Sequence, residues 1–266
     1  MNNGRYLKKF FTVGSISREI VENFVKEWKF GWVEHVELKQ TDVHAFDLEG
    51  EFISLFIIDS DLPSLNLLNE HIVHLKNPQD IEIIILAETQ QYQVQSIAWA
   101  DIDGNDIDLA PHVILKESAN SILECYAHFL CGHSFACHDY QSIRHWLHSG
   151  TNYISAGCET VPSKELPYAL YLEIKKLEMN ADAKRMKVVA INVVFLGTIW
   201  TFELIQATTL MLHACISENI AVDLHSNFHP EGQFDKAGFK LFAVLENIVK
   251  KVTDEAIDDL PLFLKR

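Results

Sequence analysis

Thiols, imidazoles and carboxylates crowd the middle of this 266-residue chain. Cys125, His128 and Cys131 recur at three-residue spacing and are followed by His133, Cys137, His138 and Asp139. Thiolate and imidazole are the ligands zinc takes, so the stretch Cys125–His138 is where a metal- or nucleotide-dependent enzyme with a divergent site would be built. A helical period lines residues 125, 128 and 131 along one face. The Cys-x-x-Cys pairs that structural zinc sites favour are absent, and a Cys–His nucleophile pair has neither a separate base nor an orienting carboxylate assigned to it. Cysteine and histidine as small core and boundary residues is the plainer reading, and no metal is expected. A second carboxylate group, around Asp103-Gly104-Asn105 and Asp106, has its glycine too early for a calcium loop and no closing glutamate. It reads as an acidic hairpin turn.

A third possibility is phosphate. Phe10–Val13 is a short apolar strand, then Gly14-Ser15, then a helix over Ser17–Trp28 with Ile20, Val21, Phe24, Val25 and Trp28 on one face. Strand, glycine, helix is how mononucleotide folds cradle phosphate on bare backbone amides. Here there is one glycine, with Glu19 and Glu22 near the helix start. An ordinary turn is expected, with Ser17 as N-cap.

The elements that must position these groups alternate between strand and helix. Val33–Leu38 alternates as a strand, Phe52–Asp59 and Ile81–Ala87 are nearly continuous apolar runs, and Leu62, Leu65, Leu68, Ile72 and Leu75 recur at helical spacing between them. Buried parallel strands joined by a crossover helix fit that pattern. Ile97–Ile102 and Asp106–Leu109 read as a hairpin, and His112–Leu115 as a further strand. A central helix, Ala119–Gly132, carries Ile122, Leu123, Tyr126, Phe129 and Leu130, and a second helix is read over Tyr140–His148. Beyond Gly157 come a helix over Ser163–Glu178, a strand over Lys187–Phe195 and a helix over Thr201–Ser217. Phe202, Ile205, Thr209, Leu212 and Ile216 of that last helix face inward, and strands follow at Ile220–Leu224 and Phe239–Leu245. The divisions are therefore 1–118, 119–157, 158–248 and a charged tail, 249–266.

Hydrophobic content of 48% and charged content of 22% allow a full core. A net charge of −15 weighs against nucleic acid or an anionic membrane as partner, since both repel it. Five cysteines without framework spacing point to reduced thiols. With no apolar run of about 18 residues for direct membrane insertion and no signal-peptide pattern, a cytoplasmic location is expected.

Three stretches together resemble the FtsZ/tubulin superfamily. Asp139-Tyr140-Gln141-Ser142-Ile143-Arg144, then Ser149-Gly150 and Gly157, is similar to the FtsZ synergy loop, Asn-x-Asp-x-x-Asp, and the elements after it. Lys187–Val194, Gly197 and Thr201-Phe202-Glu203 resemble the opening strand and helix of the family's C-terminal domain. Asp259-Leu260-Pro261-Leu262-Phe263-Leu264-Lys265-Arg266 resembles the terminal peptide, Asp-Ile-Pro-x-Phe-Leu-Arg, through which FtsZ is captured by tethers and regulators. The match covers the second half and the tail, and the first half agrees in outline. The resemblance implies an α/β, tubulin/FtsZ-like fold: a shortened Rossmann-like N-terminal domain joined by a central helix to a smaller α/β C-terminal domain.

The departures bear on activity. The family's glycine-rich first loop is Val13-Gly14-Ser15-Ile16-Ser17 here, and its Gly-Gly-Gly-Thr-Gly-Thr-Gly signature is replaced by Ser60-Asp61-Leu62-Pro63-Ser64-Leu65. Without glycines no backbone nest forms, and Asp61 opposes a triphosphate. The chain between Asp42 and Glu51 is too short for the family's further phosphate loop and helix. In the loop resembling the synergy loop Asp139 keeps the first acid, but Ser142 stands at the second and Cys137 replaces the Asn. The chain is expected to be a pseudo-GTPase with no cofactor, whose Asp139 caps a helix. Its partners are then proteins, FtsZ-binding adaptors or FtsZ itself, or further copies of this chain. Adaptors would be engaged through Asp259, Leu260, Pro261, Phe263, Leu264 and Arg266.

Overall fold

The computed structural model describes residues 9–28, 33–39, 54–72, 81–89, 99–100, 106–107, 111–131, 145, 147–148, 150, 152–197, 202–217, 219–228 and 236–247. All structural statements concern these residues. Two sheets carry the fold, with one helix between them.

The first sheet is built from β1 (Lys9–Val13), β2 (Glu34–Glu37), β3 (Ser54–Asp59), β4 (Ile81–Ala87) and, after a short antiparallel pair β5 (Trp99–Ala100) and β6 (Asp106–Ile107), β7 (His112–Leu115). Its order is β2-β1-β3-β4-β7, and every pairing is parallel. Strands buried on both faces need apolar residues at successive positions, which is why Ser54–Asp59 is buried throughout. Odd and even positions divide between two cores. Phe10, Leu55, Ile57, Ile84 and Leu86 belong to one core with Val21 and Phe24 of helix α1 (Ser15–Glu27). Phe11, Phe56, Ile58, Ile83 and Ile85 share a core with Leu65, Leu68 and Ile72 of helix α2 (Leu62–Ile72).

The chain from β1 returns to β2 on one side, whereas β3 lies on the other side of β1 and leads away to β4. The carboxyl ends of β1 and β3 therefore flank the point where strand order reverses, the place where open α/β sheets form a ligand crevice. The order of elements thus puts Val13-Gly14 opposite Asp59.

Helix α3 (Ala119–Cys131) joins the halves. Ile122, Leu123, Cys125, Tyr126, Ala127 and His128 are all buried. A helix apolar on most of its circumference must be covered on most sides, and α3 is packed against first-sheet residues and against Ala190, Val194, Leu196, Phe242 and Val244 of the second sheet. Its polar edge is held by Glu124, 2.8 Å from Lys240 Nζ, and by Ser121 Oγ, 3.2 Å from Ser155 Oγ.

The second sheet runs β10-β9-β11-β8, from β8 (Asn152–Pro162), β9 (Met186–Gly197), β10 (Ala221–Phe228) and β11 (Lys236–Asn247). β9 and β10 are parallel, and β11 is antiparallel to β9 and β8. Helices α4 (Leu166–Ala183) and α5 (Phe202–Cys215) cover its outer face. Strand β8 crosses position 157, so residues 152–157 are already part of the second sheet.

Two local expectations are corrected. Ser17 does not cap α1: Gly14 holds the cap position and Ser17 is buried in the first turn, donating its hydroxyl to the Val13 carbonyl at 2.9 Å. The inward face of α5 is rotated from the expected one. Thr208 and Leu212 are buried and Leu204 and Met211 pack on the core, while Ile205 is 47% exposed. The helix is apolar nearly all round, with Leu210 63% exposed, so apolar spacing alone did not select the buried stripe.

Candidate functional site

At the switch point, Gly14 follows β1 with φ 110°, a conformation open to glycine and strained for side chains. The first amides of α1 point from there toward β3. A helix N-terminus leaves its amides without intrahelical partners and carries partial positive charge, so it holds an anion readily. The anion present is the protein's own. Asp59, the last residue of β3 and 4% exposed, accepts from the Ile16 N–H at 2.9 Å and from the Ser17 N–H at 2.7 Å, one with each carboxylate oxygen. A Cβ on Gly14 would lie 2.3 Å from Asp59 Cγ. Gly14 is thus required by the Asp59 carboxylate that presses on it.

The next helix repeats the arrangement locally. Asp61 accepts from the Ser64 N–H at 2.9 Å and from the Ser64 hydroxyl at 3.0 Å, capping α2. The carboxylate that opposes phosphate in the sequence is a cap in the fold. Between the two helix starts is a cleft of about 560 Å³, lined by Val13, Gly14, Leu62, Pro63 and Glu70 among others. None of its described lining residues is basic. Arg18, in the first turn of α1, pairs instead with Glu37 at 2.9 Å.

Of the thiol–imidazole stretch, Cys125 and His128 lie inside the core. Burial, and secondarily Glu124, pushes the Cys125 thiol up, opposite to what a reactive thiolate or metal ligand needs. Burial, with Lys240 adding to it, pushes His128 down to about 3. Its ring packs edge-on against Trp28 at 4.9 Å and near Phe242 at 5.7 Å, the place of an aromatic side chain. His133, Cys137, His138, Asp139 and Ser142 lie outside the described residues, as do Asp103-Gly104-Asn105 and the tail residues Asp259, Leu260, Pro261, Phe263, Leu264 and Arg266.

The fold brings together one group that spacing does not reveal. At the opposite, amino-terminal edge of the first sheet, Glu82 of β4 and His112 of β7 meet His148, with a ligand-capable atom of each within 4.8 Å of the others. Glu82 is fully buried and forms a short ion-pair contact with His148. The His112 and His148 rings are 4.4 Å apart. His112 Nε2 is 3.0 Å from the Gly150 carbonyl and 2.5 Å from the Tyr153 hydroxyl, which in turn donates to the Leu147 carbonyl. Burial first, then the neighbouring His148 charge, lowers His112 to about 4 and keeps its imidazole neutral. The sequence signal available was a glutamate opening an apolar strand, since an acid there needs a partner.

No protein-family profile matches the chain, and no curated protein matches it. Among solved structures it is similar to an empty FtsZ dimer from M. jannaschii, at 5% identity and TM-score 0.49, covering 97% of this chain and 96% of that one. A mutant FtsZ from M. jannaschii is similar at 8% identity and TM-score 0.44, over 90% and 91% of the two chains. TubZ of Bacillus thuringiensis serovar israelensis, in GDP-form protofilaments, is similar at 12% identity and TM-score 0.47, over 91% and 86%.

Proposed function

We propose that this protein is an FtsZ-like pseudo-GTPase, a non-catalytic interaction component linked to cell division or the cytoskeleton. The carrying observation is Asp59. Its carboxylate occupies the two amides at the start of α1, where a nucleotide phosphate would bind, and fills the space beside Gly14. Binding a phosphate there would require expelling a buried carboxylate from charge-assisted hydrogen bonds and bringing two anions together. The cleft beside it offers Glu70 and no described lysine or arginine to offset that charge. With the second acid of the synergy-like loop replaced by Ser142, neither half of a nucleotide-hydrolysing pair is equipped.

What remains to the chain is its surfaces. The segment Asp259–Arg266 resembles the peptide by which FtsZ is captured, and Leu260, Pro261, Phe263 and Leu264 would bury in an apolar groove of a partner. The test is affinity capture of FtsZ-binding adaptors by the full chain and by a chain ending at Ile257. Capture is expected from the first and lost from the second, with the melting temperature unchanged. Equal capture by both chains overturns the docking reading. Phosphate release from GTP above the buffer rate overturns the non-catalytic one.

A further inference from the structure

We propose that Glu82, His112 and His148 form a binding site for one divalent transition-metal ion of the zinc class.

The site lies at the sheet edge opposite the crevice, so it shares no residue with the reading above. Parallel pairing sets Ile84 beside His112, and Glu82 is two positions before Ile84 on the same face of β4. Glu82 and His112 therefore project from adjacent strands toward the same side of the sheet. His148 comes from the segment that leads into β8 and the second sheet. Two imidazoles and one carboxylate are a donor set that zinc and neighbouring first-row ions take, with positions left over for water or a further ligand.

Distances fit after small side-chain movements. Zinc bonds of about 2.0–2.2 Å in a tetrahedron put ligand atoms roughly 3.3–3.6 Å apart. The three donor atoms already lie within 4.8 Å of one another. The outer contacts are those of a supported ligand: Gly150 and Tyr153 hold His112 through Nε2, which orients the ring and fixes which nitrogen keeps its lone pair. His148 retains 25% side-chain exposure, giving an ion a route from solvent.

A divalent cation would take the place of the His148–Glu82 contact and bind the carboxylate and both rings together. It would also fasten the His148–Tyr153 segment, the entrance to the second sheet, to β4 and β7.

The experiment uses the full chain without a polyhistidine tag, stripped of metal, titrated with cobalt and followed by its visible absorption. Zinc affinity is then measured by competition with a chromophoric chelator, and melting temperature with and without zinc. One equivalent per chain is expected, with a tetrahedral cobalt spectrum, micromolar or tighter zinc affinity and a raised melting temperature. His148→Ala, at a partly exposed position, should weaken zinc binding at least about tenfold, the lower end even for loss of a supporting group. Glu82→Gln should do the same, and His128→Phe should not. No stoichiometric uptake at micromolar zinc overturns the proposal, as does uptake that both His148→Ala and Glu82→Gln leave within tenfold of wild type.

Discussion

Replacing Asp59 by alanine separates a carboxylate that substitutes for a bound anion from one that merely packs. Its two oxygens accept from the Ile16 and Ser17 amides at 2.9 and 2.7 Å in a buried setting. Losing a helix cap costs about 1–2 kcal/mol, and hydrogen bonds to a charged group contribute about 1.5–3 kcal/mol. These overlap, so Asp59→Ala should destabilise by roughly 2–4 kcal/mol, or about 4–16 °C in melting temperature at about 2–4 °C per kcal/mol for a chain of this size. The deletion also leaves two bare amides at a helix start, with room for an anion. Sulfate at 100 times its dissociation constant would return about 2.7 kcal/mol. Urea denaturation of both proteins, in sulfate and in chloride at equal ionic strength, reads this out. Sulfate stabilises most proteins by exclusion, so the comparison is the extra gain of the variant over wild type. A variant within about 0.5 kcal/mol of wild type, or equal sulfate gains in both, refutes the reasoning.

Gly14→Ala should destabilise by about 3 kcal/mol or more, because the new Cβ meets Asp59 Cγ at 2.3 Å and φ is 110°. In the Asp59→Ala background part of that cost should disappear, a coupling of about 1–3 kcal/mol measurable by a double-mutant cycle. His128, held near 3 by burial against an ordinary 6.5, contributes stability that is complete above about pH 6.5 and is lost as the pH falls toward 3, since only the unfolded chain takes up the proton in that range. His128→Phe should flatten that acid limb by up to about 4–5 kcal/mol, at roughly 1.4 kcal/mol per pH unit, in denaturation curves from pH 7 to pH 3.

The parts of the fold that were legible are those where one local pattern decides. Ser54–Asp59 and Ile81–Ala87 are apolar at nearly every position and so could only be central strands, and α3 starts at Ala119 as expected. The single glycine of the first loop and the acid at Asp61 both lie at the crevice, one at the start of α1 and the other as the cap of α2. What filled it was not legible. Asp59 caps a helix 42 residues earlier in the chain, and a local rule that looks for a serine in the first turn chose Ser17 instead. Such a partner becomes visible only when β1 and β3 are known to be neighbours. The face of α5 failed for a different reason: Leu204, Ile205, Leu210, Met211 and Leu212 ring the helix, so its neighbours rather than its period choose the buried side. Glu82, His112 and His148 belong to three segments, Glu82 and His148 being 66 positions apart, and only the strand order brings them into contact. Of the thiol–imidazole run, Cys125 and His128 lie in the core, as the plainer reading of the sequence expected, because a helix between two sheets buries most of its circumference.

Whether a nucleotide can displace Asp59 decides between a pseudo-GTPase and a working nucleotide site. Calorimetric titration of the full chain with GTP and with GDP, each with magnesium, is the direct measurement. No saturable heat up to millimolar nucleotide is predicted for the wild-type chain. Stoichiometric binding with a micromolar dissociation constant would contradict it and return the crevice to the status of a working nucleotide site.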